Sequence, residues 1–114
     1  MKLELKRIVL KGNAPETIDD FVIAADADIG EKGFEGVDYF HLRIVTPKRL
    51  KKWLEEDKIV NGRATFIVNE PTMEENLKVV ENEINHILEK CDKPTLEEVI
   101  NAINLYLVWE YSDS

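Results

Sequence analysis

Cysteine is nearly absent from this 114-residue chain: Cys91 stands alone, so no internal disulfide can form, and a reducing, cytoplasmic setting is the simplest one. No apolar run approaches the roughly 20 residues of a membrane-spanning helix. The opening Met-Lys-Leu-Glu-Leu-Lys-Arg has no apolar signal-peptide core. There is no linker, low-complexity segment or internal repeat, and therefore no obvious place to cut the chain. Phosphate loops, dinucleotide fingerprints and nucleophile elbows are also missing, so no cofactor is expected. Only two histidines occur, His41 and His86, and neither has the spacing of a metal ligand set. His86 and Cys91, five residues apart on a helix, would point about 140° apart, too far for a nucleophilic pair. Cys91 closes an apolar helical stripe and reads as a buried, inert thiol.

What is present is enough for one domain, residues 1–114, with an ordinary hydrophobic content of 44%. Its organising stretch is residues 34–54, where the period changes. Phe40, Leu42 and Ile44 alternate with Tyr39, His41 and Arg43 as in a strand. Thr46-Pro47 then suits a helix start, Thr46 as cap and Pro47 at the first position, followed by Leu50, Trp53 and Leu54 at helical spacing. Upstream, residues 2–11 form a strand whose apolar phase slips between Leu5 and Ile8, which a bulge near Lys6-Arg7 reconciles. Phe21, Ile23, Ala25, Ala27 and Ile29 mark a second strand, with Asp26 and Asp28 on its other face. Gly30, Gly33 and Gly36 are read as supplying positive φ angles in the hairpin that follows.

Asn61-Gly62 marks a turn before a fourth strand over 63–69. Two capping boxes, Thr72-x-x-Glu75 and Thr95-x-x-Glu98, open two amphipathic helices. Their stripes run Met73, Leu77, Val80, Ile84, Ile87, Leu88, Cys91 and then Leu96, Val99, Ile100, Ile103, Tyr106, Leu107. Asp92-Lys93-Pro94 separates them. The expected fold is α+β: a mainly antiparallel four-stranded sheet with about three helices packed on one face.

Charge is divided along the chain. Residues 1–12 carry four bases and one acid, and residues 13–38 carry eight acids and one base. Residues 39–69 carry seven bases and three acids, and residues 70–114 eleven acids and three bases, within a total of −8. This asymmetry disfavours nucleic acid as a partner and favours a cationic protein. The Lys48–Lys52 cluster reads as a solvated helix face rather than a phosphate grip, since Glu55, Glu56 and Asp57 offset it.

The Leu-x-Leu-Lys-Arg start, the glycines from Gly33 to Gly36, Thr46-Pro47 and Trp109-Glu110-Tyr111 occur in an order that resembles the immunity protein 8 family. These are small bacterial proteins, generally encoded beside polymorphic toxins and thought to neutralise them. Where the family often carries an aromatic after Thr-Pro-Lys, this chain has Arg49, and its tryptophan comes at Trp53. The resemblance implies a non-enzymatic protein that binds a cognate toxin domain. A nuclease with a basic cleft is the toxin class that the charge best suits.

Asp26, Asp28, Glu31, Glu35 and Glu110 are the expected partner contacts, drawn from the acidic strand, its hairpin and the C-terminal segment. Core packing is the default for Trp109. The rival reading is a metal-assisted hydrolase using Asp26 and Asp28, carboxylates roughly 7 Å apart on one strand face. No third ligand or water-activating group accompanies them, so no metal is expected. A third reading is an assembly subunit that pairs with itself through an open sheet edge.

Overall fold

The computed structural model describes residues 1–112. The elements run β1 (Glu4–Lys11), β2 (Val22–Gly30), β3 (Asp38–Val45), α1 (Pro47–Asp57), β4 (Thr65–Ile67), α2 (Met73–Lys90), α3 (Leu96–Ile103) and β5 (Val108–Trp109). The class is α+β. The first three strands form an antiparallel meander, β4 joins β3 in parallel, and β5 pairs antiparallel with the other half of β3. The sheet therefore has five strands, and the β3–β4 pairing is parallel because α1 carries the chain back before β4 runs alongside Arg43–Val45 in the same direction.

Alternation fixes which side chains meet. Phe21, Ile23, Ala25, Ala27 and Ile29 are buried on one face of the sheet, with Phe40, Leu42 and Ile44 beside them. The β1–β2 register slips between Leu5 and Arg7, as the apolar phase requires, so Leu5, Ile8 and Leu10 all pack on that core. Val80, Ile84, Ile87, Leu88 and Cys91 of α2 and Val99, Ile100 and Ile103 of α3 complete the cluster. Of the expected stripes, Leu96 and Tyr106 are exposed. Both caps form: the Thr72 hydroxyl accepts from the Glu75 amide at 3.1 Å and the Thr95 hydroxyl from the Glu98 amide at 3.2 Å.

α1 stands apart from this core and has no buried residue. Its Trp53 ring lies 4.7 Å from the Arg43 guanidinium, and alternation puts Arg43 on the sheet face opposite Phe40, Leu42 and Ile44. Thr46 occupies the cap position of α1, but its hydroxyl makes no cap hydrogen bond. It accepts from the Phe21 amide at 3.0 Å and donates to the Phe21 carbonyl at 3.3 Å, fastening the start of β2 to the β3–α1 joint.

The hairpin glycines also differ from expectation. Gly33 has φ +85, whereas Gly30 lies outside the left-handed region. Gly30 is required for another reason: a Cβ there would meet the Gly36 carbonyl oxygen at 2.2 Å. In the Asn61-Gly62 turn it is Ala64 that takes positive φ, at 55°. Among the described residues, no helix is long and apolar enough to cross a membrane.

Candidate partner-binding surface

The sheet face turned away from α2 and α3 carries Arg7, Val9 and Lys11 of β1, Ala24, Asp26 and Asp28 of β2, and Tyr39, His41 and Arg43 of β3. Register brings opposite charges together. Asp28 pairs across to Arg7, and its Oδ2 lies 2.6 Å from Arg7 Nε. Asp26 sits between Val9 and His41; its carboxylate is 3.0 Å from Lys11 Nζ and 2.6 Å from His41 Nδ1. Neither aspartate is a free surface charge: their side chains are 4% and 14% exposed. Asp28 Oδ1 is buried with no hydrogen-bond partner among the described residues. The acidic strand is thus a compensated ladder, held by Arg7 and Lys11 from β1 and by the His41 ring from β3.

At the hairpin end the charges stand differently. Glu35 is exposed and Glu31 half-buried, with the Glu31 carbonyl accepting from Lys6 Nζ at 2.9 Å. Phe34 projects between them, 65% exposed. Glu110 is tied to the sheet: its carboxylate accepts the Tyr39 amide at 2.5 Å, and its own amide donates to the Tyr39 carbonyl at 2.9 Å. Trp109 is half-buried against the core edge, its indole N–H reaching Asp38 at 3.2 Å and its ring meeting Tyr111 edge-on at 5.2 Å. The charge on Glu110 beside Tyr111 raises the phenol's pKa above its ordinary value.

Other charges fasten elements together. Arg43 donates to Thr65 Oγ1 at 2.7 Å and to the Asn61 carbonyl at 2.5 Å, locking the α1–β4 connection under Trp53. Arg49 and Lys52 reach Asp20 at 2.7 and 2.5 Å, and Lys48 reaches Asp19 at 3.9 Å, so much of the basic patch on α1 is answered within the chain. The Lys52 hydrogen bond, with Arg49 adding to it, holds the Asp20 carboxyl below its usual pKa. Arg49, standing where the resemblance leads one to expect an aromatic, serves this pair.

A scan against protein families matched residues 2–114 to immunity protein 8. The chain belongs to the immunity protein 8 family. Searches of curated proteins and of solved structures each gave no match. For an immunity protein the relevant chemistry is that of a surface, and the family implies a toxin as its partner. On this member, the expected contacts Asp26, Asp28, Glu31, Glu35 and Glu110 lie on the open face, its hairpin and just after β5, but three of the five are engaged inside the fold. Arg7 and Lys11 are the partners that sequence reasoning missed. The signal was available in the strand alternation, which sets Arg7 and Lys11 opposite Ile8 and Leu10.

Proposed function

We propose that this immunity protein neutralises a cognate bacterial toxin by binding it directly, covering its active site or an adjoining surface, with no chemistry of its own. The observation that carries this reading is the family match over residues 2–114. A cytoplasmic complex with a nuclease bearing a basic cleft suits the net charge of −8. Exposure favours Glu35, with Glu31 behind it, for the first encounter. Asp26, Asp28 and Glu110 contribute as a shaped, internally paired surface around it. Exposed charges of this kind accelerate association and confer selectivity more than they add affinity.

The test is co-expression with the toxin encoded beside the gene, followed by binding measurements on the purified pair. The expected outcome is protection of the cells and a tight one-to-one complex. If the chain neither protects nor binds, the reading fails.

A further inference from the structure

The sheet ends at β4, which pairs with β3 on one side only. Arg43 donates to the Ala64 carbonyl and Val68 to the Val45 carbonyl, both at 2.9 Å, so residues 64, 66 and 68 address β3. The amide and carbonyl of Ile67 and the carbonyl of Thr65 therefore point outward, while the Thr65 amide turns back to Gly62 at 3.2 Å. Such an edge is a template for another strand.

Beside it runs a groove with a cavity volume of about 680 Å³, bounded by β4, by Val79 and Glu83 on α2, and by Leu105 and Tyr106 after α3. Its apolar rim is open: Ile67 is 56%, Val79 43% and Leu105 74% exposed. Apolar side chains gathered along an edge mark a contact site rather than ordinary surface scatter. Toward the α2 N-terminus a second concavity that shares Val79 with the groove is lined by Glu70, Glu74 and Glu75, with Lys78 the cation among them. At the opposite end Arg63 is engaged with the Asn104 carbonyl and side chain and the Leu107 carbonyl, at 2.5, 2.8 and 3.2 Å.

We propose that the β4 edge receives an extended segment of the toxin as an added strand, apolar side chains set into the groove over Val79 and basic ones meeting Glu70, Glu74 and Glu83. This rests on the toxin-binding reading above. Backbone pairing supplies register, the groove selects alternate side chains, and the acids select their charge. The basic character of the segment follows from the surplus of acid on this side, and the extended conformation from the unpaired edge.

The experiment uses a catalytically inactive form of the toxin domain encoded beside the gene. Amide exchange at Ile67 should slow on complex formation, and Ile67→Lys/Val79→Lys should weaken binding at least about tenfold, the loss typical of a contact at the centre of an interface. Both positions are exposed, so the variant's denaturation should match the wild type; the wild-type exchange measurement stands regardless. If the wild type binds, the Ile67 amide exchanges as before and the variant binds equally well, the added-strand inference is overturned and toxin binding stands. If the wild type does not bind, both fall. Should the wild type alone dimerise through this edge, with Ile67→Lys/Val79→Lys monomeric, a second copy is the occupant and the proposal is overturned.

Discussion

Removing Arg7 tests whether the open face is a compensated ladder. Asp28 is only 2% exposed although α2 and α3 pack on the other side of its sheet. One carboxylate oxygen is held by Arg7 at 2.6 Å, and the other has no hydrogen-bond partner among the described residues. Arg7→Ala leaves a charge in a place that water scarcely reaches. Stripping one partner from a fully buried pair costs about 3–5 kcal/mol. Here the Arg7 side chain is 60% exposed, so solvent entering its place recovers part of the loss, and about 1–3 kcal/mol is expected. Asp28→Asn removes the charge at nearly constant shape, and in its presence Arg7→Ala should cost about 1 kcal/mol less than it does alone. Urea denaturation of the wild type, both single variants and the double variant gives the coupling. An Arg7→Ala loss within about 0.5 kcal/mol, the range of an ordinary surface change, or strictly additive effects, would refute the reasoning.

Ile84→Ala and Ile100→Ala, at core positions 0% and 8% exposed, should each cost roughly 2–5 kcal/mol by chemical denaturation; small losses in both would detach α2 and α3 from the core. Asp20 has a folded pKa below its ordinary value, so the stability it confers is complete above that ordinary value and lost as pH falls through the folded one. Asp20→Asn should accordingly flatten the acid limb of a stability–pH curve, and an unchanged limb would remove Lys52 and Arg49 as the cause. Glu31→Gln/Glu35→Gln should slow association with the toxin at low salt and reduce the salt dependence, leaving dissociation nearly unchanged, as stopped-flow kinetics at two salt concentrations would show.

Elements whose causes are local were legible in the chain. The α2 and α3 starts depend on a hydroxyl and an amide three residues apart, and Thr72–Glu75 and Thr95–Glu98 behave as their spacing requires. Thr46 shows where such reading stops. Its local role was a cap, but a partner 25 residues away, Phe21, offers both a donor and an acceptor inside the fold, and that pairing wins. Gly30 suits a hairpin by its backbone freedom, yet the need is for space beneath the Gly36 carbonyl, a close approach that only the folded loop creates. Asn76 gave no signal at all: buried in the first turn of α2, its side chain accepts the Glu70 amide at 2.8 Å and fixes the connection from β4. The candidate acids were found, but their partners were not, because pairing depends on register and the register is reset by the bulge between Leu5 and Arg7.

That register changes what the acid surplus means. Counting residues concentrates negative charge between positions 13 and 38, yet Asp20, Asp26 and Asp28 each face one or two cations within 3.0 Å, and Asp19 faces Lys48 at 3.9 Å. A pair of opposite charges in contact has a field that falls away much faster than that of either alone, so these acids hold elements together and contribute little to steering at a distance. Among the acids without an ion pair in the described residues are Glu31 and Glu35 at the hairpin, Glu70 just before α2, and Glu74, Glu75, Glu81 and Glu83 along it; Glu16, Asp38, Glu55, Glu56, Asp57, Glu97, Glu98 and Glu110 stand elsewhere. Glu74 and Glu75 also favour their helix by lying in its first turn, but that interaction leaves their outward charge intact. On the proposed reading, a cationic toxin would find such acids clustered at the hairpin and along the flank of α2. Of these, the flank of α2 also offers an unpaired strand edge and an apolar groove into which the approach can settle.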